Sequence, residues 1–532
     1  MNMEFSFQLW LVAALPILLL LLFMVGLKWP ALKAAPVSLL VTLLTASFVF
    51  KATPELILIE AGKSIWSSLS IISVVITAIL LYETSKEAKA FDTLNKAFSV
   101  SAPNELLRIL LIGVVFSSFL QGVTGFGVPI LVTAPLLIGI GVSPMWAVVV
   151  PLIGHCWAGT FGTLALAWHA LILQTDLVST VWVALYASVL LSILNLSAGI
   201  AIAWFYGRFE AIGKGLLAIL AISITQGFGQ IVMTQVNPDL GVFVPSAASA
   251  GILILVSKMN MYRDGWSVKN SRIMEPSAAN EPIEGSNAMS AFQAFFPYLA
   301  MTFITLSILM ISPLNSFFGS LSYGPSFPGS VTGLGVHNAP VAVYAPIKPF
   351  THASFFLALS ALMGYVFYQK RSFVRTGSLS LILSRALRKA LPSSLAILSL
   401  MGISRIMTGS GQTEILSYGV ASLFGNLYAG ISPFVGLVGA FITSSNMSSN
   451  ILFGGFQYSL SEILQMDSYL LLGAQTAGGS IGTSIAPSNV VLGATTAGIL
   501  GKEGDILRKI IPFTIAVTSI FGITTLVLTL YL

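Results

Sequence analysis

Three stretches of this chain, Leu9 to Leu27, Ile109 to Trp168 and Ile415 to Leu460, contain no Asp, Glu, Lys or Arg. Nothing constrains the fold more. One helical crossing of a bilayer needs roughly 20 apolar residues, and the longer stretches exceed that. A water-soluble chain needs a charged shell of about a quarter of its residues, whereas 8% of these 532 residues are charged and 56% are hydrophobic. The runs are continuous Leu, Ile, Val and Ala without the alternation of barrel strands. The fold expected is an all-α polytopic membrane protein of about 12 to 14 crossings or part-crossings. Leu9 to Leu27 reads as a first span, since no basic segment precedes it as in a cleaved leader.

Charge then orients the bundle. Lys370, Arg371, Arg375, Arg385, Arg388 and Lys389 crowd residues 369–389 with no acidic residue among them. The positive-inside rule puts this loop in the cytoplasm. Lys28 and Lys33 follow the first span in the same way and leave the amino terminus outside. Glu83 to Arg108 and Lys258 to Glu284 balance acidic and basic residues and do not orient. Phe91, Leu94 and Phe98 share a helical face, so Glu83 to Phe98 reads as a short interfacial helix. The polar interval 259–289 reads as a linker between an N-terminal transmembrane half, 1–258, and a C-terminal half, 290–532. One cysteine, Cys156, leaves no intrachain disulfide and no Cys-rich metal site. No cofactor is expected.

The apolar runs are interrupted at matching places. Gln121-Gly122-Val123-Thr124-Gly125-Phe126-Gly127 breaks one run, and AGTFGT (158–163) follows some thirty residues on. Thr443 to Asn450 breaks another, and AGGSIGT (477–483) follows at a similar distance. The recurrence suggests broken or re-entrant helices in two repeat-related halves. Non-helical backbone at membrane depth needs protein or a wet cavity to satisfy its peptide groups, and a half-helix beginning there aims a positive end at an anion. The residues marked for substrate binding are Gln121, Thr124, Gly125, Gly127, Ser445, Asn446, Ser448, Ser449, Asn450, Gly478 and Gly479. Helix packing through small residues is the competing account of the glycines.

Ionisable residues within apolar runs complete the set. Arg405 offers a carboxylate two parallel donors, or it snorkels to an interface. Glu414 is its candidate partner. His155 and Glu414 are the proton-coupling candidates; His169, His337 and His352 lie near breaks or in a Pro-rich stretch. No HExxH, GxGD or DDxxD pattern and no phosphate-binding loop occurs, so an enzyme or an ATP-driven pump is not expected. Secondary transport of a small organic anion is the leading reading, and a passive channel or an exporter stays open.

The text FLQGVTGFGVPILVTAPLLIGIGVSP (119–144), SSNILFGGFQ (448–457) and AQTAGGSIGTSIAPSNVVLGATTAGILGKEGDILRK (474–509) resembles the lactate permease family. That resemblance implies carriage of L-lactate, D-lactate or glycolate across the plasma membrane, usually with protons, by a protein that can be a homo-oligomer. The family pattern has an acidic residue where this chain has Gln121, an Asp at Met447 and a Lys at Thr483. Three charges are thereby replaced by neutral side chains.

Overall fold

The computed structural model describes residues 5–94, 104–263, 265–268, 271–275 and 289–531. Ten helical stretches among them are long and apolar enough to cross a bilayer, and three shorter apolar helices accompany them. These are the crossings and part-crossings the runs imply.

The first half contributes α1 (Phe7–Leu21), α2 (Ala31–Leu44), α3 (Pro54–Glu87) and α4 (Glu105–Val123). The short helices α5 (Val128–Gly139), α6 (Pro144–Gly154) and α7 (Gly162–Ile172) follow. Next come α8 (Val181–Val236) and α9 (Pro238–Ser257). At 56 residues α8 is far longer than a bilayer is thick, and it turns at Gly207 and Arg208, where the backbone leaves helical geometry.

The second half holds α10 (Ala291–Met310), α11 (Ser312–Phe318), α12 (Ala353–Lys370), α13 (Leu379–Ser410) and α14 (Gln412–Phe424). It continues with α15 (Tyr428–Thr443), α16 (Asn446–Leu464), α17 (Ser468–Gly482), α18 (Pro487–Thr496) and α19 (Glu503–Thr529). Between α11 and α12 runs an extended strap whose strands β1 (Ser330–Val331) and β2 (His337–Asn338) pair antiparallel.

Helices α3 and α13 form an antiparallel pair. Thr53 caps α3, its Oγ1 accepting from Leu56 N at 3.2 Å, with Pro54 in the first turn. Such a start needs no backbone N–H from proline and satisfies an orphan donor. Residues 64–82 of α3 and 390–404 of α13 carry no charge, and the charges sit at their ends. Arg385 Nη1 donates to Glu87 Oε2 at 2.7 Å, and Lys389 pairs with Glu83. At the other end Arg405 Nη2 donates to Glu60 Oε2 at 2.9 Å. The basic segment 369–389 is therefore loop only between Arg371 and Ser378: Lys370 ends α12, and the last three cations ride on α13.

The interfacial helix expected over Glu83 to Phe98 is not what forms. Glu83 and Glu87 end α3, and a separate helical turn at residues 90–94 buries Phe91 and Leu94. Phe91 packs on Tyr82 with ring centroids 5.5 Å apart, which removes its face from lipid; Phe98 lies outside the described residues. Much of 259–289 also lies outside them. The described part is docked: Ser143 N donates to Ile273 O at 2.8 Å and Glu275 N to Gly141 O at 2.8 Å.

The repeat strings AGTFGT and AGGSIGT take different conformations. The first is irregular, with a 3₁₀ turn at Cys156–Gly159 and left-handed φ at Thr163, Leu164 and Ala165. The second stays helical to Gly482, and the chain breaks only afterwards, at Thr483–Ala486. Its glycines bring backbones together: a Cβ on Gly478 would overlap the Pro433 carbonyl, and one on Gly482 would lie 2.6 Å from Leu437 O. This is small-residue packing of α17 on α15.

Gly478→Ala is therefore expected to destabilise the detergent-purified protein by about 1–3 kcal/mol through overpacking. Gly504→Ala, where a Cβ meets nothing within 4 Å, serves as control, and a thermal melt in which both match wild type would refute the contact.

Candidate functional site

Four interruptions of the helical backbone meet at one cavity of about 100 Å³. Room for one water needs roughly 10–15 Å³ by this measure, so the space admits several waters or a small solute. Each interruption contributes lining. The α4–α5 break gives Gln121, Phe126 and Gly127; the α6–α7 break gives His155, Gly159, Gly162 and Thr163. The α15–α16 break gives Ser444, Ser445, Asn446 and Met447, and the α17–α18 break gives Thr483 and Asn489. Leu166 and Ala167 of α7 close the wall.

The local backbone explains the choice of residues. Gly125, Phe126 and Gly127 have φ of +46°, +48° and +79°. Glycine takes such values without a Cβ clash, and a Cβ on Gly125 would strike Thr163 Oγ1. Left-handed backbone at three consecutive non-glycine residues, Thr163 to Ala165, costs about 1–2 kcal/mol per residue. Strain of this kind is held only where the surroundings over-determine it. At the third break Ser444 has φ +58° and Ser445 is the N-cap of α16, its Oγ accepting from Ser448 N at 3.2 Å.

Helices α5 and α16 thus begin at the cavity, and Asn489 belongs to the first turn of α18. Each helix N-terminus carries the equivalent of about half a positive charge and N–H groups with no intrahelical acceptor. Among the described lining residues there is no Asp, Glu, Lys or Arg, and His155 is the titratable side chain. Its Nδ1 is buried without a hydrogen-bond partner. The resulting field is positive without a fixed cation, which suits one small anion.

A polar network ties the two halves together behind this wall. Asn446 Nδ2 donates to Thr160 Oγ1 at 3.1 Å and to Thr476 O at 3.2 Å. Asn450 Nδ2 donates to Ala167 O at 2.9 Å and to Thr476 Oγ1 at 2.8 Å. Ser480 Oγ donates to Cys156 O at 2.6 Å. A Cβ on Gly479 would overlap Asn446 Oδ1, so this glycine lets the amide reach its place.

The marked residues divide accordingly. Gln121, Gly127, His155, Ser445 and Asn446 face the cavity. Gly125 and Gly479 shape it from behind, and Asn450 braces it. Thr124 does not reach it, because its Oγ1 turns back to Leu120 O at 3.0 Å. Ser448 supplies the capped N–H, while Ser449 Oγ donates to Gly436 O at 2.9 Å on the packing side of α16. Gly478 packs helices. Arg405 is absent from the lining and pairs with Glu60 rather than with Glu414, which lies in the first turn of α14.

Asn489 was not among the marked residues. Its Nδ2 donates to Thr483 O at 3.0 Å, and its signal was the Ala-Pro-Ser-Asn string following a glycine-rich helix, a pattern that also fits an ordinary helix start. Gln121, Met447 and Thr483 all line the cavity.

Residues 10–532 match the family model described as L-lactate permease. The L-lactate permease of Halalkalibacterium halodurans is 26% identical over 98% of this chain and 96% of its own length. The glycolate permease and the L-lactate permease of Escherichia coli K12 are each 25% identical, covering 97% of this chain and 95% of their own. Among solved structures, the YdaH transporter of Alcanivorax borkumensis aligns with 82% of this chain and 86% of its own, at 13% identity and a TM-score of 0.32.

The bracing network is open to a double-mutant cycle. Asn450→Ala and Thr476→Val, combined, are expected to show a coupling of about 0.5–3 kcal/mol in thermal stability; strictly additive losses would mean the two side chains do not meet.

Proposed function

The chain belongs to the L-lactate permease family, and we propose that it is a secondary transporter of a small 2-hydroxy monocarboxylate of the lactate or glycolate kind. The observation that carries this reading is the convergence of the α5 and α16 N-termini on one small cavity lined by uncharged polar groups. A carboxylate there would accept from first-turn N–H groups and from Gln121, Ser445 and Thr163. Helix N-termini facing a substrate carboxylate from discontinuous helices are a recurrent carrier solution. The small volume and the lack of a fixed cation favour a monoanion over a dianion. Relatives named for L-lactate and glycolate transport support the substrate class.

The coupling we propose is proton symport through His155, the titratable side chain at the cavity. A proton carried with the anion makes the loaded site neutral, and the buried, unpartnered Nδ1 of His155 is the group at the cavity able to take one. A carrier is favoured over an enzyme because the relatives are named as permeases. The transporter halves, 1–258 and 290–532, each supply two of the four breaks, which supports repeat-related halves either side of the 259–289 linker. Loop 369–389 and the Lys28–Lys33 turn lie toward the end of the bundle where α3 finishes. On the positive-inside reading that end is cytoplasmic, in a plasma membrane, with the amino terminus outside. A second reading keeps the anion and changes the ion: neutral Gln121, Met447 and Thr483 in the lining are compatible with sodium coupling or with a passive pore.

Proteoliposomes loaded with the purified protein test these readings together. Wild type is expected to accumulate radiolabelled L-lactate or glycolate under an inward proton gradient and to show counterflow, which a pore does not. Gly125→Ala, Ser445→Ala and Asn450→Ala are expected to lower kcat/KM by about tenfold or more, as lost positioning does. His155→Gln is expected to lose gradient-driven accumulation while keeping counterflow. Accumulation by His155→Gln equal to wild type sinks the proton assignment, and absence of any carboxylate uptake sinks the transporter itself.

A further inference from the structure

The two ends of the α3–α13 pair are not electrically alike. Where α3 finishes, Glu83 and Glu87 meet Lys389 and Arg385, charge for charge. At the opposite end two cations share one carboxylate. Glu60 Oε1 accepts from Lys63 Nζ at 2.7 Å, and Glu60 Oε2 accepts from Arg405 Nε at 3.1 Å and Nη2 at 2.9 Å. The Glu60 side chain is 0% exposed, that of Lys63 4% and that of Arg405 16%. A carboxylate and one cation would suffice to clamp two helices. The second buried cation leaves a net positive charge, and an uncompensated charge away from water is retained only at several kcal/mol.

The strap reaches over this cluster. The Tyr344 ring, from the strap, stands 5.5 Å from the Arg405 guanidinium and 5.9 Å from Lys63 Nζ. Its hydroxyl accepts from Ser67 Oγ at 3.2 Å. The strap is fixed in place, with Trp66 Nε1 donating to Ala345 O at 3.0 Å and Asn338 Nδ2 to Gly409 O at 2.9 Å. Asp176 is the further acidic residue that acts on Arg405 electrostatically. It is exposed, so within the buried part of the cluster two cations face one carboxylate. The cluster is also joined to the helix that closes the cavity wall. Ser404, beside Arg405, donates to Gln174 Oε1 at 2.7 Å, and Gln174 follows cavity-lining Ala167 by about two helical turns, roughly 10 Å.

We infer that Lys63, Arg405 and Tyr344 form a second, outer binding site for a small carboxylate, which collects the anion beneath the strap before it enters the central cavity. On the positive-inside reading this end faces outside. The inference rests on the chain being an anion carrier, and it adds a site that the cavity does not contain. Glu60 has a positioning role here: it holds both cations while neutralising one of them.

Lys63→Met separates this role from the clamp, because the Glu60–Arg405 pair remains and only the excess charge is removed. In oriented vesicles Lys63→Met is expected to raise KM for L-lactate offered from outside by about tenfold, with KM from inside as in wild type. The wild-type outside KM should rise with salt, and the variant's should not. A purely structural Lys63 predicts lower thermal stability with both KM values unmoved; that result, or equal shifts from both faces, overturns the outer site. If wild-type vesicles take up no small carboxylate, the transport reading fails separately. Equilibrium binding of radiolabelled L-lactate to the purified protein then decides the outer site. Binding that persists in Gln121→Leu but falls in Lys63→Met supports it, and binding indifferent to Lys63→Met overturns it.

Discussion

A peptide group left unpaired in hydrocarbon costs several kcal/mol, and the arrangement of this protein follows from where that cost is met. Four of the places where the chain leaves helical geometry within its apolar runs meet at one cavity. None of these can face lipid. Gathering them around one cavity puts all four within reach of the same polar side chains and of whatever fills the space. The small residues at the breaks are the means of gathering: Gly125 admits Thr163, Gly159 comes within 2.6 Å of Ser480 Oγ at the position its Cβ would take, and Gly479 admits Asn446. The field proposed to hold the anion is then a by-product of the same geometry, since helices that start beside the cavity point their positive ends into it.

Charge is used differently at the two depths. In the central cavity, fixed charges are absent from the described lining and the partial charges of helix starts take their place. At the ends of α3 and α13 full charges appear, and they clamp the helices in antiparallel register: Glu60 with Arg405, Glu83 with Lys389, Glu87 with Arg385. The polar network of Asn446, Asn450, Thr160 and Thr476 joins these themes. It uses neutral donors to hold α16 and α17 against the 155–161 segment and α7, where a misplaced charge would disturb the cavity.

Much of the candidate site was legible because chemistry and backbone need coincide there. Gly125 and Gly127 sit where φ is positive, and Ser445 sits where a helix begins; both requirements select residue types that stand out in an apolar run. Asn446 was legible as a polar side chain with no business in lipid. Gly478 was misleading because glycine serves helix packing and helix breaking alike, and the difference is whether a carbonyl such as that of Pro433 stands opposite. Thr124 was misleading because a hydroxyl in a helix can turn back to the preceding turn.

Hydropathy and period, both local properties, determined from sequence alone that this chain is a helical membrane protein with interrupted spans. Local properties also marked which interruptions were polar enough to host a solute. Only the tertiary structure decided that all four interruptions share a cavity, because contacts between residues as far apart as Thr160 and Thr476 leave no periodic trace. It alone decided that Arg405 turns to Glu60 of α3 and not to Glu414, the nearer acid in sequence. A salt bridge depends on which helix ends are brought together in space, and the order of residues along the chain does not record that.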